Sequence, residues 1–104
     1  MGCLEAIEEI AAVDGVDGIF VGPYDLSVAM GAPAQFDRPE FAAALKRVLE
    51  AVQRAGKFCI IYADSEDAAV KRFDEGFDSV ALSMDCILYR RAINGAVAAI
   101  KGAL

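Results

Sequence analysis

The chain has 104 residues, 57% of them hydrophobic and 25% charged, with a formal net charge of −6. That length holds one domain with a real hydrophobic core, and the composition is globular rather than disordered. Ten Lys and Arg face sixteen Asp and Glu, with no basic stripe or run, which argues against nucleic acid and anionic membrane as partners.

Leu4, Ile7, Ile10 and Ala11 share one helical face, which predicts a helix ending near Val13, ahead of an Asp14-Gly15 turn. Gly18 to Val21 is a short β-rich run, bounded by Gly22-Pro23 because proline cannot donate to an interior ladder. Residues 28–38, with Gly31, Pro33 and Asp37, read as a loop. Pro39 suits the first turn of a helix. Phe41, Leu45, Val48, Val52 and Ala55 follow with amphipathic spacing, and Gly56 is placed to end the helix.

Lys57 to Tyr62 is a continuous apolar strand of the kind buried on both faces. Asp64 or Ser65 caps a short helix that carries Ala69, Val70 and Phe73 and stops at Gly76. Asp78 to Ser83 is a third strand. From Cys86 onward, Ile87, Ile93, Val97, Ile100 and Leu104 predict a last helix, whose apolar residues suit packing within the domain or against another subunit. The order is α-β-α-β-α-β-α, an α/β fold with about three parallel strands, four helices and right-handed crossovers. Three strands make a small sheet, and a (β/α)8 barrel takes roughly 200 residues or more. The expectation is therefore the back part of something larger.

No apolar run approaches the ~20 residues needed to cross a bilayer. No basic n-region opens the chain, so a cytoplasmic protein is the default. Cys3, Cys59 and Cys86 are odd in number, widely spaced and unaccompanied by His. They make no CxxC motif, they fit a reducing compartment, and Cys59 reads as core. Without His, a Ser-His or Cys-His nucleophile is excluded within this chain. Residues 1–52 hold nine acids and three bases, which suits a solvated surface or an acidic rim that attracts a divalent cation.

Asp25 is the candidate site residue. It follows the Gly22-Pro23 break, at the carboxyl end of a strand, where parallel α/β folds place their ligand chemistry. A carboxylate there suits a hard cation such as Mg2+ or Mn2+. The amides of Tyr24 and Asp25, after a proline that fixes φ, can hold a carboxylate. Together these suit a 2-oxo acid chelating a Lewis-acidic metal that stabilises an enolate. The competing reading is that Asp25 only caps a loop or short helix. Asp17 reads as a turn residue, Asp64 and Asp85 as N-caps, and Arg90-Arg91 as a solvated helix face. Tyr62 and Met84 line a pocket or close the core edge.

The run from Ile10 to Ser27, IAAVDGVDGIFVGPYDLS, closely resembles the HpcH/HpaI aldolase family of metal-dependent 2-oxo-acid aldolases. Ala55-Gly56-Lys57, Glu75-Gly76-Phe77-Asp78 and Val80-Ala81-Leu82 agree with it in order and spacing. The resemblance implies a modified TIM barrel, commonly a homo-oligomer, that cleaves 4-hydroxy-2-oxo acids to pyruvate and an aldehyde. It implies Asp25 as a ligand to a divalent metal (Mg2+, Mn2+ or Co2+), and Tyr24 and Asp25 as backbone donors to the pyruvate moiety. The family's second metal ligand, a Glu in a Gln-x-Glu stretch, would fall before Met1. Its catalytic His, the partner Asp and an Arg belong to segments this sequence does not contain. Residues 1–104 are therefore expected to be a C-terminal, partial aldolase domain with no catalytic residue of its own, inactive alone. The family usually has Gly where Ser83 stands, and often Ala where Tyr24 stands. The alternative is a non-catalytic assembly or ligand-binding module. A doubly wound domain of response-regulator type needs about five strands and ranks last. An open strand edge would make the isolated chain self-associate.

Overall fold

A computed structural model describes residues 2–104. The elements are α1 (Gly2–Glu5), α2 (Ile7–Ala11), β1 (Gly18–Val21), α3 (Pro23–Ala29), α4 (Pro39–Arg54), β2 (Phe58–Ala63), α5 (Glu66–Glu75), β3 (Ser79–Leu82) and α6 (Asp85–Ala103). The three strands form one parallel sheet in the order β1-β2-β3. Three strands agree with the sequence reading, but the helices number six among the described residues, not four.

Both extra helices have local causes. The first predicted helix breaks at Ala6, whose φ of −103° and ψ of 20° leave the helical region. The second, α3, starts at Pro23 immediately after β1, because proline's fixed φ already fits a first helical turn. The reading of Asp25 as a helix cap is not borne out: Gly22 is the N-cap of α3, no side chain caps it, and Asp25 is the third residue of the helix.

The register pairs Gly18 with Phe58, Ile19 with Cys59, Phe20 with Ile60 and Val21 with Ile61, and then Ile60 with Ser79 and Ala63 with Leu82. Alternate side chains of a strand point to opposite faces, so Ile19, Val21, Cys59, Ile61, Ala63 and Val80 share one face. The helices cover that face, and Cys59 and Ile61 are fully buried there. The opposite face carries Phe20, Phe58, Ile60 and Tyr62, with Phe20 and Phe58 more than 60% exposed. The expectation that the second strand is buried on both faces is thus corrected. Its continuous apolar run covers only one side among the described residues.

The sixteen residues of α4 supply most of the core. Phe41, Leu45, Val48, Leu49 and Val52 are buried at helical spacing against Ile7, Ala11, Ile61 and Phe77. Arg47 then clamps α4 to the chain's first segment. Its guanidinium donates to both carboxylate oxygens of Glu8, each at 2.9 Å, and to the Glu5 carbonyl at 3.1 Å. Between β2 and β3, the Cys59 N–H donates to Asp78 Oδ2 at 2.8 Å and the Asp78 N–H to the Cys59 carbonyl at 3.0 Å. That reciprocal pair fixes the entry of β3 into the sheet.

Capping is partly as predicted. Ser65 Oγ accepts the Ala68 N–H and caps α5, and Gly76 ends that helix at a φ of 103°, which glycine alone adopts without strain. Asp64 is not the cap. Asp85 is the first residue of α6 rather than its N-cap, and its carboxylate accepts the adjacent Cys86 N–H. Arg91 is more than a solvated charge, since it donates to the Asp64 carbonyl at 2.9 Å and ties α6 to the β2–α5 connection. None of the residues of α6 is buried. The helix stands away from the sheet and stretches the molecule to 59 Å by 29 Å by 22 Å. No helix among the described residues is long and apolar enough to cross a membrane.

Candidate active site

The carboxyl ends of β1 and β2 place the predicted residues together. β1 ends at Val21, Gly22 caps α3, and Pro23, Tyr24 and Asp25 form the first helical turn. The first backbone bond of this helix runs from the Leu26 N–H to the Gly22 carbonyl at 2.9 Å. The Tyr24 and Asp25 amides ahead of it have no helical acceptor, as at every helix start. They are adjacent, and both residues are exposed.

The Asp25 side chain folds back over the helix start. A Cβ built on Gly22 would lie 2.7 Å from Asp25 Oδ2, so the glycine leaves the space the carboxylate occupies. This compact carboxylate beside two free amides fits one oxygen ligand of a hard divalent cation. It supplies no more than one. Among the described residues, no group of three or more His, Cys, Asp or Glu gathers to hold a metal.

Tyr24 is anchored by aromatic contacts that begin in the core. Its ring meets Phe36 edge-on at 5.0 Å between centroids, and Phe36 meets the buried Phe41 at 5.3 Å. Tyr24, Phe36, Tyr62 and Arg72 line a cavity of about 140 Å3 beside the ends of β1 and β2. Tyr62 therefore lines a pocket, whereas Met84 is exposed. Asp17 is exposed just before β1 and follows the turn rather than forming it, since its carbonyl accepts the Phe58 N–H and so extends the β1–β2 pairing.

Two residues of this region were not legible as site elements. Ser27 is fully buried, and its hydroxyl bonds to the Tyr24 carbonyl at 2.7 Å and the Ala34 N–H at 3.0 Å. Only its three-residue separation from Tyr24 hinted at this, since serine in a helix often bonds back to an earlier carbonyl. Phe36, inside the predicted loop, gave no periodic signal at all. At the end of β3, Ser83 sits at a φ of 54° with its hydroxyl buried and unpartnered among the described residues.

The sequence profile of the HpcH/HpaI aldolase/citrate lyase family matches residues 1–92. The chain belongs to the HpcH/HpaI aldolase/citrate lyase family. It is 41% identical over 95 residues to a hydroxypyruvate/pyruvate aldolase of Chromohalobacter salexigens, covering 91% of this chain and 37% of that protein. It is 33% identical over 98 residues to a 2-keto-3-deoxy-L-rhamnonate aldolase of Escherichia coli O1:K1 / APEC, covering 94% of this chain and 37% of that protein. Its fold superposes on the crystal structure of an HpcH/HpaI aldolase/citrate lyase family protein from Burkholderia cenocepacia J2315 with a TM-score of 0.89. The identity there is 33%, over 94% of this chain and 38% of that one. The chain thus spans a little over a third of the length of these HpcH/HpaI relatives. Its three parallel strands and six helices are consistent with part of a TIM-type barrel.

Proposed function

We propose that this chain supplies one side of a carbon–carbon lyase site that acts on a 4-hydroxy-2-oxo acid, releasing pyruvate and an aldehyde. The observation that carries the reading is the turn after β1. Asp25 projects its carboxylate into the space left by Gly22, beside the free amides of Tyr24 and Asp25. The Asp25 carboxylate contributes one ligand to a divalent cation such as Mg2+, Mn2+ or Co2+. The two amides receive the carboxylate of the 2-oxo acid and fix its orientation. When bound, the cation supplies Lewis acidity toward the substrate's keto oxygen.

No residue of this chain is assigned the proton transfers. The chain has no His. The remaining ligands and the general base come from other polypeptide in this reading, which treats residues 1–104 as a partial, C-terminal portion of an aldolase domain. Tyr24 narrows the space on the aldehyde side, because its ring is held by Phe36. The family kinship supports the reading, since hydroxypyruvate/pyruvate aldolase and 2-keto-3-deoxy-L-rhamnonate aldolase are the names its relatives bear.

A second reading, a non-catalytic assembly or ligand-binding module, is favoured by one observation. The sheet face bearing Phe20 and Phe58 is open and α6 buries none of its residues. Both features favour self-association of the chain.

A coupled pyruvate-release assay with 4-hydroxy-2-oxo acids and Mg2+, Mn2+ or Co2+ separates the two. The chain is assayed alone and with a polypeptide matching the rest of a relative's length. Turnover only in the mixture, abolished by Asp25→Ala, supports the lyase reading. Silence in both settings, with a stable oligomer by sedimentation, supports the module.

A further inference from the structure

The geometry points to Ser27 as a positioning residue that aims the Asp25 amide at the bound 2-oxo acid by holding the carbonyl of the same peptide unit. The inference rests on the reading of Tyr24 and Asp25 given above and assigns Ser27 a part in it.

The Tyr24 carbonyl and the Asp25 N–H belong to one planar peptide, and the described residues contain no cis bond. In a trans peptide the two groups point in opposite directions. Whatever fixes the direction of the carbonyl therefore fixes that of the N–H. Ser27 Oγ lies 2.7 Å from the Tyr24 oxygen and 3.0 Å from the Ala34 nitrogen. Chemistry settles which way the hydroxyl proton goes. The Ala34 N–H can only donate, so it uses a lone pair of the oxygen, and the single hydroxyl proton is left for the Tyr24 carbonyl. Ser27 is fully buried, so water does not compete for either bond.

Two consequences follow for the amide. The peptide lies in the first turn of α3, whose backbone sets its general direction, and Pro23 before Tyr24 and the Ser27 hydroxyl beyond it hold the plane within that turn. A carbonyl that accepts a hydrogen bond also polarises its peptide, which makes the opposite N–H a stronger donor. The same hydroxyl holds Ala34 at a φ of 58°, in the left-handed region, and so anchors the segment that brings Phe36 against Tyr24. The purely structural role would be that anchoring alone.

The test uses the whole chain, with pyruvate and Mg2+ as probes and backbone NMR as the readout. In the unsubstituted chain, pyruvate with Mg2+ shifts the Tyr24 and Asp25 amide resonances. In Ser27→Ala the Tyr24 carbonyl carbon resonance moves upfield before any ligand is added. The pyruvate Kd read from the amide shifts rises about tenfold, equivalent to about 1.4 kcal/mol. Ser27→Cys fills the same space with a weak donor and gives a smaller rise, and it carries the test should Ser27→Ala not fold. Pro33→Gly, at an exposed position beside Ala34, loosens the same segment without touching the Ser27–Tyr24 bond, and leaves the Kd within twofold. Equal losses in Ser27→Ala and Pro33→Gly, or an unchanged Kd in Ser27→Ala and Ser27→Cys, overturn the positioning role and leave the site reading intact. An unsubstituted chain whose Tyr24 and Asp25 amides ignore pyruvate overturns the site reading itself, and this role with it.

Discussion

Asp25 and Gly22 share one space: the carboxylate oxygen Oδ2 lies 2.7 Å from where a Cβ on residue 22 would stand. Gly22 has a φ of −93° and a ψ of 104°, which any residue adopts. The glycine therefore answers to the Asp25 side chain and not to the backbone. An alanine there meets only the far end of a flexible side chain, which can swing away. Gly22→Ala is expected to fold with a thermal midpoint close to that of the unsubstituted chain while displacing the carboxylate. Thermal unfolding and Mn2+ binding measured on the same sample check this, the first nearly unchanged and the second weakened.

Ser83 shows the opposite case, a side chain where the backbone asks for none. It adopts a φ of 54°, its N–H donates to the Ala63 carbonyl at 2.7 Å, and its hydroxyl is buried without a partner among the described residues. The left-handed region costs a non-glycine residue roughly 1–2 kcal/mol. An unmade buried hydrogen bond adds to that. Ser83→Gly recovers both and concedes some chain entropy in the unfolded state, for a net gain of about 1 kcal/mol. A denaturant titration reads it as a higher midpoint with an unchanged slope.

The Arg47–Glu8 clamp sets the acid limit of the α2–α4 contact. The hydrogen bonds from Arg47 hold the Glu8 carboxyl at about 2, below its ordinary value of 4.5. A carboxyl depressed in the folded state stabilises it fully above its unfolded value and loses that contribution as pH falls through the folded one. The loss therefore runs from about pH 4.5 down to about pH 2. The pair is solvent-exposed, so the effect is small and salt-dependent. Stability measured across this range declines less in Arg47→Met, which has already lost the clamp.

Cys59 sets a corresponding limit at high pH. Burial, with the nearby Asp78 carboxylate, pushes its thiol from 9.0 up to about 11. Since the unfolded thiol ionises first, stability falls as pH rises between those two values. At pH 8.5, iodoacetamide modifies the exposed Cys3 and Cys86. It spares Cys59 until denaturant is added, and mass spectrometry of the alkylated chain counts the sites.

What was legible in the sequence was whatever a local period or a punctuating residue encodes. Phe41, Leu45, Val48 and Val52 announced α4 by their spacing, and Gly76 announced the end of α5. Gly22-Pro23 marked the end of β1 and put Asp25 beside it. What was not legible depends on partners distant along the chain. The Arg47–Glu8 clamp spans 39 residues, and the reciprocal bonds between Cys59 and Asp78 span 19. The Lys57–Tyr62 run looks the same whether one or both of its faces are covered, and the apolar spacing of α6 does not say what the helix packs against. At the site, Asp25 and Tyr24 were named from their motif, but the hold that Ser27 and Phe36 exert on Tyr24 is a matter of three-dimensional contact alone.

The central claim is that Asp25 is the residue of this chain that meets a divalent cation. Paramagnetic broadening tests it most directly, because Mn2+ at substoichiometric concentration reports weak binding even from a single ligand. In backbone NMR spectra of the chain with pyruvate present, Mn2+ is predicted to broaden the amides of residues 22–26 first, and Asp25→Asn to abolish that selectivity. Broadening centred on the acidic stretch from Glu5 to Glu9, or unchanged in Asp25→Asn, would contradict the account.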